Sequence, residues 1–297
     1  MTTRLTRATA AGRVYLDLQN KARREHRPTD ELHQLYALEG FLARVTQLPY
    51  SNQLVIKGGV LLAAYDVRRP TRDIDVQGQH IPLDAGNVVQ MVREIAAIAL
   101  DDGLEFDTAA ATASPIRDED EYGGIRIGLT GRLATARLSL HIDVNVGDPI
   151  WPGPQPVTLP RLLGGELHLT GYPLPMILAE KIITAVERGT ANTRWRDFAD
   201  ICTLAQHHRV MGSDLESALT VVAEYRHVEL SSLRTVLDGY PALAQPRWVA
   251  WRRRIHLEDR LPESFADVLA AVIALADPAL GSAVSDRYWS PDAGRWS

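Results

Sequence analysis

Two aspartates one residue apart, Asp73 and Asp75, stand at the end of the run Arg69-Pro70-Thr71-Arg72. On a strand, side chains alternate between faces, so these two carboxylates project together while Ile74 turns to the core. Paired carboxylates make a poor core and a good magnesium site, because Mg²⁺ takes hard oxygen ligands. Just upstream, Lys57-Gly58-Gly59 follows the apolar run Leu54-Val55-Ile56 and opens a predicted helix over 60–65. Glycines let backbone N–H groups approach a phosphate at a helix N-terminus. These residue types in this order point to metal-assisted chemistry on a nucleoside triphosphate.

A third carboxylate, Asp143, falls on the polar side of a strand predicted over 138–146, beside Ser139, His141 and Asn145. A charge at a half-buried strand position is usually paired or metal-bound. Three carboxylates on neighbouring strands could hold two Mg²⁺ ions, one activating an attacking hydroxyl and one holding the triphosphate. The competing reading is the solvent-facing side of an edge strand.

A second constellation lies further on, in Ala179-Glu180-Lys181 and Asn192-Thr193-Arg194-Trp195-Arg196-Asp197-Phe198-Ala199-Asp200-Ile201. Lys181 sits on an apolar helix face, from which it could snorkel to a phosphate or stand as an ordinary surface lysine. It is one of three lysines among 32 basic residues; Lys21 and Lys57 are the others. In so arginine-rich a chain, a surviving lysine suggests a need for a compact ammonium. Asp197 and Asp200 are three apart on one helix face, placed to hold Lys181 or orient an acceptor, or, for Asp197, to complement a helix N-terminus. Trp248, Trp251 and Arg252 to Arg254 could stack on and clamp RNA; at helical spacing they also fit a packing face with a solvated rim. His207-His208 reads as a surface pair.

Composition bounds the possibilities. The 297 residues are 45% hydrophobic and 23% charged, as in an ordinary globular protein. Cys202 is the single cysteine, so no internal disulfide forms, no zinc spacing is present, and a reducing cytoplasm is expected. No signal peptide or membrane span is expected, because the first residues lack an apolar run and the longest apolar window is broken by Asp267 and Asp277. The net charge of −5 is uneven: residues 1–27, with Arg4, Arg7, Arg13 and Lys21 among them, carry +5, and residues 246–260 carry +3. Two basic ends around an acidic middle suit a nucleic-acid footprint, or equally solvated helix faces.

Around the site, periodicity predicts helices over 12–48, broken at Pro28-Thr29-Asp30, and over 87–100. Strands are predicted over 105–109, 125–130 and 138–146. Five prolines in residues 149–160 read as a domain boundary. Helices follow over 174–188, 194–208, 213–225, 229–238, 247–257 and 263–276. The resulting division is N-terminal helices over 1–50, a core over 51–150, a Pro-rich linker over 151–160, a helical domain completing the active site over 161–282, and a loose tail over 283–297.

Lys-Gly-Gly, a short helix, Arg-x-Thr-x-Asp-x-Asp, and later Glu-Lys with Asn-Thr-Arg-x-Arg-Asp-Phe-x-Asp-Ile together resemble the AbiEii-type nucleotidyltransferase toxins, the type IV toxin–antitoxin group that includes the MenT enzymes. Order and spacing agree over about residues 50–205. The resemblance implies an α+β fold, a polymerase-β-like core of mixed sheet flanked by helices, followed by a helical domain. It implies Mg²⁺-dependent transfer from an NTP, in several members to a tRNA 3′ end, and a cognate antitoxin encoded separately. By position, Thr71, Asp73 and Asp75 match the first catalytic motif and Lys57 the lysine before the glycines. Lys181 matches the helix lysine and Asp197 the aspartate of the second motif. Val60 departs from the pattern, since many relatives carry Ser or Thr there.

Asp73 and Asp75 are expected to hold Mg²⁺, with Asp143 as third ligand or as base. Lys57, Gly58, Gly59, Thr71 and Lys181 serve the triphosphate, and Arg194 and Arg196 contact phosphate or acceptor. Two rivals remain: transfer to a protein or small-molecule acceptor, and a non-catalytic module that binds RNA or a partner.

Overall fold

A computed structural model describes residues 5–116 and 123–297; Arg4, counted above among the basic residues, lies outside them. The chain divides into two compact units, one of residues 1–148 and 155–171, the other of 149–154 and 172–297.

The first unit opens with α1 (Ala10–Arg24) and α2 (Thr29–Val45). The Thr9 hydroxyl caps α1 by accepting from Gly12 N, the usual way to satisfy an orphan N–H there. The second helix is buried along nearly its whole length. Its Arg44 forms a buried bidentate pair with Asp102 at 2.6 and 3.2 Å and donates to the carbonyls of Gly40 and Ile98. Then follow β1 (Leu54–Lys57), α3 (Gly58–Leu61), β2 (Asp73–Gly78), α4 (Ala85–Ala97), β3 (Leu104–Ile116), β4 (Gly124–Leu133), β5 (Ala136–Val146), β6 (Gln155–Pro160) and β7 (Glu166–Gly171).

These strands form one mixed seven-stranded sheet in the order β3-β4-β5-β2-β1-β7-β6. The β2–β5 and β1–β7 pairs are parallel and the others antiparallel. Ile56, Ile74, Val76, Ile127, Ile142 and Val144 are buried, the apolar half of the alternation seen in the sequence. Helix α2 packs against β5, and α4 against β3 and β4. Because β5 lies inside the sheet, the edge-strand reading of Asp143 does not hold.

Three expectations need correction here. The stretch over 151–160 is not a plain linker: Gln155–Pro160 is the outermost strand, paired with β7, and Pro156 and Pro160 lie in it. Proline is tolerated on an edge because its missing N–H faces no ladder partner. The helix expected over 60–65 begins at Gly58 and tightens into a 3₁₀ turn over Leu62–Tyr65. The weak strand over 105–109 runs on to Ile116 after a break in register between Asp107 and Thr112.

The second unit contains α5 (Leu174–Arg188), α6 (Trp195–His207), β8 (Val210–Met211), α7 (Gly212–Tyr225), α8 (Leu233–Val236), α9 (Tyr240–Arg254), α10 (Phe265–Leu280), β9 (Tyr288–Ser290) and β10 (Arg295–Trp296). An aromatic cluster of Trp195, Phe198, Tyr240, Trp248 and Phe265 joins α6, α9 and α10, with ring centroids 5.4–6.0 Å apart. Trp248 is fully buried and Arg252 nearly so, its Nη1 donating to Leu261 O at 3.2 Å; the RNA-clamp reading of these two gives way to packing. Arg253 and Arg254 are exposed. The loose tail is also corrected: β8, β9 and β10 form a three-stranded sheet. Trp289 and Trp296 anchor it, donating to Ala205 O and Leu275 O at 2.7 and 3.1 Å. Among the described residues no helix is long and apolar enough to cross a membrane.

Candidate active site

The sheet register lines up four charged residues. Lys57 on β1 is opposite Asp75 on β2, Asp75 is opposite Asp143 on β5, and Asp143 is opposite Arg126 on β4. Directly opposed residues share a face, so the row reads cation, carboxylate, carboxylate, cation. Like charges directly opposite destabilise a sheet, and the flanking cations offset that repulsion. Two residues back along β2, Asp73 is opposite His141, whose Nδ1 lies 3.1 Å from Asp73 Oδ1.

Each end of the row is fastened. Arg126 Nε and Nη2 donate to the two oxygens of Asp143 at 2.8 and 2.6 Å. Those hydrogen bonds, reinforced by the charges of Asp143, Asp73 and Asp75, raise the Arg126 pKa above its ordinary value despite partial burial. Lys57 is buried, and its Nζ sits 2.8 Å from Asp148 Oδ2, while Gln77 Nε2 donates to Asp148 O at 2.8 Å.

The glycine pair is shaped by its neighbours. Gly58 has a φ of +66°, and a Cβ there would lie 1.8 Å from Asp75 Oδ2. Only glycine provides both the left-handed backbone and the room for that carboxylate. A Cβ on Gly59 would come within 3.1 Å of the Arg69 guanidinium and of Thr71 Oγ1, so that residue, guanidinium and hydroxyl are packed together. The segment before Thr71 is held by a buried carboxylate. Glu39 accepts from Leu162 N at 3.1 and 3.0 Å and from the Arg68 guanidinium, which also reaches Pro160 O. Burial pushes the Glu39 carboxyl up, against the pull of Arg68.

The second constellation assembles in the other unit. Lys181 on α5 places Nζ 2.8 Å from Asp197 Oδ1 and 2.7 Å from Asp200 Oδ2, both on α6 and both buried. Arg194 Nε lies 2.7 Å from the other Asp197 oxygen. Burial alone would raise the Asp197 pKa, but Lys181, Arg194 and Arg196 together hold it well below the ordinary carboxylate range. Lys181 is therefore an internal ion-pair lysine clamped by two aspartates, neither a surface group nor one simply reaching outward. The Asn192 side chain accepts from Arg194 N at 2.7 Å and fixes the entry to α6.

Lys57, Gly58, Gly59, Thr71, Asp73, Asp75 and Asp143 thus gather on one side of the sheet, and Lys181, Arg194, Asp197 and Asp200 around α5 and α6. Sequence reasoning passed over Arg126 and Asp148, and quoted Arg69 in its motif without giving it a role. Arg126 had a signal, as the polar residue between Ile125 and Ile127 on a predicted strand; Asp148, 91 residues from Lys57, had none.

Among the described residues no group of three or more His, Cys, Asp or Glu side chains is arranged to hold a metal ion. Asp143 is turned to Arg126, so a ready three-carboxylate set is not present. The oxygens of Asp73 and Asp75 on one strand face do fit Mg²⁺, which is commonly held by one or two carboxylates plus substrate phosphates.

The AbiEii model, described as a nucleotidyl transferase AbiEii toxin of a type IV toxin–antitoxin system, matches residues 40–271. The chain belongs to that family. Membership implies an antitoxin partner. The AbiEii fold seen here is similar to that of JHP933 from Helicobacter pylori, with 14% identity, a TM-score of 0.50, and coverage of 84% of this chain and 93% of that one. A second H. pylori protein, assigned as a nucleotidyltransferase, aligns at 14% identity and a TM-score of 0.48 over 85% of this chain and 96% of its own. No curated protein matches the sequence.

Proposed function

We propose that this AbiEii chain transfers nucleotides from a nucleoside triphosphate to an RNA acceptor, the 3′ end of a tRNA, with Mg²⁺ held by Asp73 and Asp75. The observation that carries the reading is the fit of Gly58 to Asp75. A backbone conformation open to glycine and a space that admits no Cβ are both spent on seating one carboxylate beside another. A non-catalytic module that binds RNA or a partner has no need of paired carboxylates on one strand.

When bound, Mg²⁺ would neutralise triphosphate charge and lower the barrier to attack at the phosphorus bearing the transferred nucleotide. The protein's own groups do the rest. Asp73, steadied by His141, and Asp75, seated against Gly58, present hard oxygens from a rigid strand. Lys57 supplies a compact positive charge for phosphate oxygens, with Asp148 fixing where its ammonium rests. The Thr71 hydroxyl and the Arg69 guanidinium, packed against Gly59, are further donors suited to phosphate. Lys181 and Asp197 carry the second family motif; we assign Lys181 to the triphosphate on that match, with Arg194 and Arg196 as contacts to phosphate or acceptor.

Incubation with Mg²⁺, labelled nucleoside triphosphates and total RNA tests the reading. Labelled RNA of tRNA size is expected, lost in Asp73→Ala and in Asp75→Ala while both variants stay folded. Neither aspartate is fully buried, so both variants should stay folded, which circular dichroism checks. Label on protein instead of RNA would move the acceptor to a side chain, and full labelling by either variant would remove the aspartates from the site.

A further inference from the structure

Arg126 is bound to Asp143 in a way that bears on how many metal ions the site can hold. Its Nε and Nη2 donate to both Asp143 oxygens at 2.8 and 2.6 Å. Such a fork takes one lone pair from each oxygen and adds a permanent positive charge beside them, which disfavours a cation at the same carboxylate. A guanidinium cannot give up its proton at any ordinary pH, so this cation does not leave by titration. The pair also lies in the charged row across the sheet, directly beside Asp75.

We infer that Arg126 is a built-in cation standing where a second ion would otherwise bind, so that this chain works with one divalent ion, held by Asp73 and Asp75, and uses Asp143 to position Arg126. The inference rests on the nucleotidyl-transfer reading above and deepens it. Arg126 is a positioning residue: it fixes the charge balance of the row, two carboxylates and two flanking cations before any ion enters. Asp143 is then not a metal ligand, contrary to the role expected from the sequence. Without the guanidinium, three carboxylates on one face would gather more positive charge from solution, and a second ion is the available source.

The experiment counts ions, not turnover. Mn²⁺ bound per chain is measured by electron paramagnetic resonance in the full-length protein saturated with non-hydrolysable α,β-methylene nucleoside triphosphates, the four bases tested separately. The expected result is one Mn²⁺ in the wild type and two in Arg126→Ala. Asp143→Asn, which keeps the side-chain shape should Arg126→Ala fold poorly, is expected to keep one ion with affinity within about threefold of wild type (about 0.6 kcal/mol). Two ions in the wild type, the same count in wild type and Arg126→Ala, or a tenfold loss of Mn²⁺ affinity in Asp143→Asn would each overturn the inference. RNA labelling run alongside separates the two levels. Labelling with an unexpected count removes only the one-ion assignment, whereas no labelling and no bound Mn²⁺ in the wild type removes the nucleotidyl-transfer reading with it.

Discussion

Gly58 and Asp75 are fitted to each other across the β1–β2 pair: the glycine holds a φ of +66°, and its missing Cβ is the space that Asp75 Oδ2 approaches. The left-handed backbone alone costs a residue with a Cβ about 1–2 kcal/mol. The carboxylate would have to move as well. Gly58→Ala should therefore lower stability by at least that amount in urea denaturation. Labelling should fall by about a hundredfold, the scale of a 1 Å misplacement of a catalytic group. A variant with normal labelling would show that the seat of Asp75 is not critical.

Lys181→Ala leaves Asp197 and Asp200 buried without the ammonium between them. Removing one partner of a buried ion pair typically costs about 3–5 kcal/mol, so a drop of that size in unfolding free energy is expected from denaturant titration. The nucleotide role must then be read from titrations at a temperature where the variant remains folded. A variant as stable as wild type would show that the clamp contributes little.

The depressed pKa of Asp197 fixes the sign of an acid effect. A carboxyl whose folded pKa lies below its unfolded value adds stability that is fully present above the unfolded pKa, about 3.9. That stability is lost as pH falls from there toward the folded value. Asp197→Asn lacks the term. The gap in thermal midpoint between wild type and Asp197→Asn should be constant near neutrality and narrow only below about pH 4. A gap that is flat down to the acid transition would assign the burial of Asp197 no electrostatic weight.

Two buried tyrosines bear on stability at alkaline pH. Burial pushes Tyr36 up to about 12, helped by the charge of nearby Asp102, and pushes Tyr240 up to about 12 against the pull of Arg247. Their hydroxyls donate to Asp102 O and Asn192 O. A raised folded pKa adds stability that is whole below the unfolded value of 10.0 and disappears as pH rises through the folded one. Stability should fall over that window, and Tyr36→Phe should make the fall shallower. Absorbance titration of phenolate formation alongside circular dichroism checks it; ionisation of both groups near pH 10 without unfolding would contradict the burial effect.

The basic residues divide once their surroundings are known. Arg7 pairs with Asp17, Lys21 with Glu25, and Arg27 with Glu25 and Glu31, whereas Arg13, Arg23, Arg24, Arg247, Arg253 and Arg254 are exposed. Reversal of Arg247, Arg253 and Arg254 to Glu should weaken RNA binding and reduce its salt dependence, by about one unit of slope for each phosphate no longer neutralised. Arg252→Glu should instead unfold the α9 region, because it would bury a carboxylate against Leu261 O. Equal salt slopes for wild type and the triple reversal would take RNA off this surface.

The site's main line was legible because it is local or strictly periodic. Asp73 and Asp75 share a face by strand alternation alone, and the same rule put Asp143 on the polar face of β5. What the sequence hid was pairing at a distance. Nothing near Asp148 announces Lys57, and whether Asp143 meets a metal or Arg126 depends on the register of β4 against β5. For Lys181 the sequence left several readings open, and the one in which Asp197 and Asp200 hold it is the one the packing of α5 on α6 realises. In the fold, the prolines of β6 read as a break because proline disfavours strands everywhere except an edge, and edge position is a property of the sheet. The β9–β10 hairpin was invisible because strands of three and two residues carry no period; two tryptophans, not alternation, hold it.

The return of the chain after its proline-rich excursion has a practical meaning. Residues 149–154 belong to the second unit, and the chain then comes back to lay down β6 and β7 before leaving again at Tyr172. Strand β1, which delivers Lys57 and the glycine pair, is thereby enclosed between β2 and β7. A fragment cut at the first crossing would strip away both outer strands and leave β1 with a raw edge of unpaired N–H and C=O groups. Such an edge recruits other chains, so a fragment ending near residue 150 should aggregate, while one ending after Gly171 keeps the sheet whole.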